Sequence, residues 1–179
     1  MLFWAYTLHV VAVSLYVGGS VFLDLIFSPA QNSIPPSQAS VIGQRVGRQF
    51  AVVAWVALFV IGASGVVQLY MLGIMSELLY TTEHGRWLLV KTFAWVVLAV
   101  DGAIMTVLLR PRLEGKLRLP VVAEDADRKR EDLIRASVTL NRLVRFNTLL
   151  ALAALVIGAS LRYGGLVIVV RQFARLLDW

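Results

Sequence analysis

Long apolar runs separated by short polar segments dominate the 179-residue sequence. A helix needs about 20 apolar residues to cross a bilayer, and four runs satisfy this requirement. They extend over Leu2 to Phe27, Gln49 to about Met75, Trp87 to Leu109, and about Leu143 to Leu161. The pattern predicts an all-α fold, an integral membrane four-helix bundle. We expect this transmembrane domain to occupy residues 1–165 and to contact the lipid bilayer.

The segment 166–179 departs from this pattern. It begins with apolar residues, but Arg171 and Arg175 then lie on one helical face while Phe173 lies mostly elsewhere. Its apolar part is too short for a fifth span, and basic amphipathic helices of this kind lie in the membrane interface. We therefore predict that residues 166–179 form a short amphipathic C-terminal interfacial helix.

Basic residues are unevenly divided between the two ends of the predicted bundle. The first and third loops share one side and hold eleven Lys and Arg residues, namely Arg45, Arg48 and nine between Arg110 and Arg142. The opposite side holds four. Because cytoplasmic loops carry the excess of positive charge, we expect both termini outside and the charged loop between helices 3 and 4 in the cytoplasm.

Two further features refine this picture. Trp4, Trp87 and Trp179 fall at the predicted outer interface, where tryptophan side chains are enriched. In the third loop, the acidic segment 124–127 precedes the basic segment 128–130, an order that suits the N-terminus of a helix. We expect the fourth helix to begin near residue 124 and to stand out into the cytoplasm as a solvated charged helix.

Composition supports a membrane protein and narrows its chemistry. Hydrophobic residues make up 59% of the chain and charged residues 16%, whereas soluble domains carry about 25% charged residues. The net charge of +6 comes from loops between apolar runs, so lipid headgroups explain it better than nucleic acid does. The absence of cysteine excludes disulfides, thiolate metal sites and iron–sulfur clusters.

Ionisable side chains within a membrane are costly and are therefore candidates for function. Helical geometry places Tyr16, Ser20 and Asp24 within about 60° of His9 on the first helix, so these residues form one polar stripe. The stripe is expected to face the bundle interior, since lipid offers no hydrogen-bond partners. On the second helix one face carries Ser64, Gln68, Met71 and Met75. The two faces indicate either a site or path between helices, or interhelical hydrogen bonds alone.

His9 and Lys91 lie at similar depths in the outer half of the predicted bundle. A neutral His9 can ligate haem or a metal ion or relay a proton, and it can also simply bond a neighbouring helix. Lys91 can neutralise an anionic group such as a haem propionate, or it can extend to the interface. His9 and Lys91 are therefore candidate cofactor-binding residues.

Possible copper ligands gather at the predicted outer face. Thioether and imidazole groups suit Cu(I), and Met71 and Met75 are spaced to lie on one side of their helix. His84 lies in the loop that follows. The candidate metal residues are thus His9, Met71, Met75 and His84, although methionines at this spacing also serve packing.

Two aspartates, Asp24 and Asp101, fall in the inner halves of their spans. Basic residues near that boundary are close enough in sequence to pair with them: Arg45, Arg48, Arg110 and Arg112. We expect a structural ion pair at the cytoplasmic boundary in preference to a proton-transfer site.

Five motifs, in order along the chain, resemble a known family. The run LHVVAVSLYVGG at residues 8–19 resembles the opening helix of CopD-like membrane proteins. The later motifs are RVGRQF at 45–50, GRWLLVK at 85–91, RPRL at 110–113 and LNRLVRFN at 140–147. The resemblance implies a bacterial cytoplasmic (inner) membrane protein that handles copper or serves copper-enzyme assembly. It also implies that His9 and Lys91 are the family's histidine and lysine, with copper as the associated metal.

The segment WLLVK at 87–91, together with His9, is more distantly similar to the HemJ-type protoporphyrinogen oxidases. This similarity implies haem as an alternative cofactor and a membrane oxidoreductase as an alternative function. His9 is the one histidine within the predicted spans, so haem would require either ligation by His9 and a methionine or a homodimer that supplies a second histidine. A third interpretation is a non-catalytic subunit of a larger membrane complex, with other membrane subunits as partners. An enzyme is the less expected of these outcomes.

Overall fold

The computed structural model describes residues 1–31, 33–71, 73, 78–109 and 123–162. These ranges are helical almost throughout and contain no strand. The elements are α1 (Leu2–Val21), a π-helical segment π1 (Phe22–Phe27), α2 (Ser28–Gln31), α3 (Pro36–Met71), α4 (Leu78–Thr81), α5 (Glu83–Ala103), a second π-helical segment π2 (Ile104–Leu109) and α6 (Ala123–Arg162). Met75, Arg110, Arg112 and the predicted tail 166–179 lie outside the described residues.

Four helical spans within the described ranges are long and apolar enough to cross a membrane. They are Leu2–Gln31, Ser37–Met71, Glu83–Leu109 and Ile134–Leu161, with mean hydropathies of 2.1, 2.4, 2.0 and 1.8. Large apolar side chains point outwards from them; Phe59 is 75% exposed and Phe93 is 70% exposed. Such surfaces are stable against lipid and not against water, so the predicted all-α, four-span membrane architecture is confirmed.

Two of the long helices extend beyond their apolar runs. The second helix begins at Pro36 instead of Gln49, and the fourth begins at Ala123, as expected from its charge order. Because helix length is about 1.5 Å per residue, both are much longer than the bilayer core requires. Arg45 and Arg48 therefore lie on a helix and not in a loop. Apolar length locates only the part of a helix that lies within the membrane.

The third helix also begins earlier than predicted, at Glu83 instead of Trp87. Thr82 caps it, because its hydroxyl oxygen accepts a hydrogen bond from the backbone N–H of Gly85 at 3.0 Å. His84, expected in a loop, lies in the first turn of this helix.

The first helix does not end at Ser28-Pro29. The backbone N–H of Ser28 bonds the carbonyl of Leu23, five residues back, which is the π-helical pattern. In an α-helix the ring of Pro29 would clash with the carbonyl four residues before it. The altered hydrogen-bond pattern accommodates this proline, so the first span continues to Gln31.

Small residues let the spans approach closely. α1 packs along α3, α5 packs along α6, and further contacts join α1 to α6 and α3 to α5. Trp95 of α5 donates from its indole N–H to the carbonyl oxygen of Leu58 on α3 at 2.9 Å. This packing is typical of membrane bundles, where association depends on close contact and interhelical hydrogen bonds. The buried core consists of Ala12, Tyr16, Val17, Ala57, Leu58, Leu98 and Ala151.

Candidate functional site

The imidazole of His9 is oriented by the second span. Its Nδ1 atom lies 3.1 Å from the carbonyl oxygen of Ile61 and 2.9 Å from the hydroxyl oxygen of Ser64. A carbonyl oxygen only accepts hydrogen bonds, and the Ser64 hydroxyl donates its own proton to the carbonyl of Val60. Nδ1 is therefore the protonated nitrogen. Nε2 keeps its lone pair, and this atom has no hydrogen-bond partner among the described residues.

Lys91 reaches the same half of the bundle from α5. Its ammonium group interacts electrostatically with His9, and it forms no hydrogen bond or ion pair with the described part of the chain. The side chain lies against Gly158 of α6, where an added Cβ atom would stand 2.7 Å from Nζ. The fold thus brings together His9 and Lys91 from the first and third spans, and Gly158 provides the space that the lysine occupies.

Two of the other predicted copper ligands, Met71 and His84, do not converge on His9. Met71 lies seven residues beyond Ser64 on α3, which is about 10 Å along the helix axis, and is 42% exposed. Between these levels Gln68 donates to the carbonyl oxygen of Ala5 at 3.4 Å. His84 is exposed at the start of α5. No group of three or more His, Asp or Glu side chains that could hold a metal occurs in the described ranges.

The half of the bundle opposite to His9 contains a buried hydrogen-bond chain across three spans. The hydroxyl of Tyr16 donates to the amide oxygen of Asn147 at 2.8 Å, and the amide nitrogen of Asn147 donates to Oδ2 of Asp101 at 3.0 Å. The three side chains are about equally buried, at 4–5% exposure. Ser20, one turn beyond Tyr16, donates to the carbonyl of Tyr16 at 2.8 Å. The predicted inward direction of the polar stripe is therefore correct at these positions.

The expected pairing of the aspartates with boundary arginines differs in the structure. Asp24 lies 3.7 Å from the guanidinium of Arg145, which α6 presents from the fourth span. Asp101 is bonded by Asn147 and has no basic partner among the described residues. The sequence suggested Arg45 and Arg48 because they lie near the same boundary. It does not reveal which helix packs beside each aspartate.

A cavity of about 830 Å³ occupies the same half of the bundle as this hydrogen-bond chain. Tyr16 and Asn147 line it in the core of the bundle, and Ser40 and Asn141 line it in the N-terminal thirds of the spans Ser37–Met71 and Ile134–Leu161. Asn147 and Arg145 were not identified as site residues from sequence. The signal that would have found Asn147 is a strongly polar amide four residues inside the apolar run that begins at about Leu143.

Comparison with known proteins gives one family. Residues 44–161 match the family described as Copper resistance protein D (CopD). The matched region is more than half of the chain and includes Lys91, Asp101 and Asn147. It begins after the helix that carries His9. No curated protein and no solved structure matches significantly.

Proposed function

Because the chain belongs to the CopD family, a family named for copper resistance, we propose that this multi-pass membrane protein handles Cu(I) in the bacterial inner membrane. Handling here means the movement of copper or its supply to a copper enzyme during assembly. His9 is the residue that meets the ion within the bundle. One observation carries this proposal: Nδ1 of His9 is held by α3, while Nε2 has no hydrogen-bond partner within the described ranges and its lone pair can bind a metal.

Copper is the cargo in this proposal and not a resident cofactor. A stable Cu(I) site gathers several imidazole or thioether ligands, and the described residues offer His9 alone at its level of the bundle. Met71 is about two turns away, and His84 lies at the helix start. Met75 and the other outer residues then serve as earlier contacts on the route to His9.

Lys91 fits a transient site. A positive charge beside His9 opposes binding of a free cation, and it favours an ion that arrives with an anionic ligand. Lys91 therefore keeps the occupancy of His9 low and release fast. A resident metal would instead need compensating negative charge near His9.

We propose that both termini face the outside and that the long α6 extension lies in the cytoplasm. The basic residues Arg45, Arg48, Arg142 and Arg145 gather at the end of the bundle where α3 and α6 project. This arrangement follows the positive-inside rule. In this orientation His9 and Lys91 lie in the outer half and the cavity lies in the inner half. Residues 166–179 remain proposed as an interfacial tail beyond the transmembrane domain.

Copper binding by purified protein in lipid nanodiscs tests the proposal. Wild-type protein, His9→Ala and His84→Ala are titrated with Cu(I) against a chromogenic chelator, and elemental analysis gives the bound metal. We expect weak binding that falls at least about tenfold in His9→Ala, since one of few ligands is lost, and that changes little in His84→Ala. Equal binding by all three proteins would contradict a role for His9.

The absorption spectrum of the same samples separates the alternatives. A Soret band that disappears in His9→Ala would replace the copper proposal with haem binding, and a dimer would then have to supply any second histidine. Protein with neither haem nor copper affinity would instead favour a non-catalytic subunit of a membrane complex.

A further inference from the structure

The inner cavity opens towards one end of the bundle. Its wall includes Ser40 and Gly43 from the N-terminal part of α3, and Ser137 from the part of α6 that precedes the most apolar stretch. These positions lie near the start of the spans Ser37–Met71 and Ile134–Leu161. The cavity therefore extends towards the end of the bundle from which α3 and α6 project, and polar residues line it there.

Polar atoms line the deep end of the cavity. Tyr16, Ser20, Asn147 and Thr148 come from the first and fourth spans, and all four are buried. A cavity of about 830 Å³ is large enough for many waters, each of which takes about 30 Å³ in the liquid. Cavities remain dry when their walls are apolar and hold water when polar partners are present. The polar wall favours water here.

Asp101 lies behind this polar end. It is 4% exposed, and Asn147, a cavity-lining residue, is the one hydrogen-bond donor to its carboxylate among the described residues. A buried carboxylate without a cation is costly, and this cost is removed when the group takes up a proton. Carboxyl groups in membrane proteins that lie beside water-filled cavities mark proton pathways.

No charged side chain on the neighbouring described helices forms an ion pair with Asp101 that would hold it in the ionised form. From α1, the Tyr16 hydroxyl is connected to Asp101 by way of Asn147, to which it donates a hydrogen bond. In the cavity wall, Asp24 is paired with Arg145. α3 has no charged residue between Phe50 and Tyr70. On α5 itself the nearest charged residue is Lys91, about 15 Å away along the helix axis. None of these groups supplies a direct cationic partner for Asp101 within the described ranges.

We propose that the inner cavity is an aqueous vestibule and that Asp101 is a proton-binding site reached through it. The Asp101 side chain is not itself in the cavity wall, but it is bonded to Asn147 and is next in sequence to Gly102, and both of these residues line the cavity. A proton exchanges between cavity water and a carboxylate oxygen of Asp101 past these residues, and it returns to water when the group ionises. Asn147 and Tyr16 position the carboxyl group. This site lies in the half of the bundle opposite to His9, and its existence does not depend on which ligand His9 binds.

Cysteine accessibility tests the vestibule, because the chain has no cysteine of its own. Thr106→Cys, on the cavity wall, is paired with Val107→Cys, its neighbour that is 66% exposed towards lipid. Ser20→Cys, at the deep end, is paired with Gly18→Cys, where an added Cβ meets no atom within 4 Å. Each variant is reconstituted in vesicles and treated with a charged, impermeant thiol reagent from either side.

We expect the two cavity cysteines to react at least about tenfold faster than their lipid-facing neighbours, since thiolates form in water and not in hydrocarbon. The reaction should occur from the side on which α3 and α6 project. Gel filtration and thermal unfolding identify any variant that fails to fold. Equal, slow reaction at all four positions would overturn the vestibule.

A carbodiimide tests the proton site on the protein in the same vesicles. Dicyclohexylcarbodiimide, an apolar reagent, modifies protonated carboxyl groups, and mass spectrometry locates the adduct. We expect modification at Asp101 that declines as pH rises and is absent in Asp101→Asn, while Asp24→Asn retains it. The absence of an adduct on Asp101 at every pH would overturn the assignment of this residue, whatever the copper titration of His9 gives.

Discussion

Nδ1 of His9 on the first span lies 2.9 Å from the hydroxyl oxygen of Ser64 on the second. This contact, with that to the carbonyl of Ile61, fixes which nitrogen of the ring carries the proton. Residues that orient a metal-binding histidine in this way influence affinity although they never touch the metal.

Ser64→Ala tests the orienting role of this contact. Nδ1 keeps Ile61 as an acceptor, so the ring stays in place but is held less rigidly. We expect Cu(I) affinity to fall by about tenfold, the lower limit for the loss of such a partner, as measured by chelator competition. Ser14→Ala, at an exposed position on α1, is the matched control and should bind as wild type does. A similar loss of Cu(I) affinity in both variants would show that the substitutions perturb the fold in general and that Ser64 does not act through His9.

Lys91→Gln tests the electrostatic contribution beside His9. Removal of the positive charge should tighten binding of free Cu(I) by about fivefold, which corresponds to about 1 kcal/mol. Lys91→Met, which retains the length of the side chain, should give the same direction in the same titration. Weaker binding of free Cu(I) in both variants would contradict the proposal that the charge of Lys91 opposes binding of the free cation.

Asn147→Ala tests the central link of the buried hydrogen-bond chain. The substitution leaves the Tyr16 hydroxyl and the Asp101 carboxyl without their partner, so we expect the free energy of unfolding to fall by about 1–2 kcal/mol. Unfolding in mixed micelles of dodecyl sulfate and a mild detergent provides the measurement. Asn141→Ala is the control, since Asn141 is exposed on the same helix. An equal loss of unfolding free energy in both variants would mean that the buried hydrogen bonds of Asn147 do not stabilise the fold.

Gly62→Ala tests the close approach of the second and third spans. An added Cβ would lie 2.6 Å from the indole ring of Trp95, a rigid group already bonded to Leu58. We expect a loss of about 1–3 kcal/mol in the free energy of unfolding from overpacking. Gly18→Ala meets open space, so it should be neutral or stabilise by less than about 1 kcal/mol. A neutral Gly62→Ala would mean that these two spans separate readily.

Much of the fold could be predicted because the bilayer imposes a simple rule on sequence. Apolar runs located all four spans, and helical geometry placed Tyr16 and Ser20 on the inward face. The boundaries were wrong where polar helix extends beyond the membrane, as at Pro36. The continuation past Pro29 was missed because a π-helical turn has no clear signature in sequence.

The candidate site was only partly accessible from sequence. His9 and Lys91 were identified as isolated ionisable residues within apolar runs, which membrane energetics makes conspicuous. Their relation to Ser64 and Gly158 depends on how the spans pack together. Likewise, Asp24 was assigned to nearby arginines, whereas packing of the fourth span supplies Arg145.

X-ray absorption at the copper edge, on Cu(I)-loaded protein in nanodiscs, tests the copper function most directly because it identifies the atoms bound to the metal. We expect an imidazole nitrogen ligand in wild-type protein and in His84→Ala, and loss of that signal in His9→Ala. A spectrum with sulfur ligands alone, or an imidazole signal that persists without His9, would contradict His9 as the residue that meets copper.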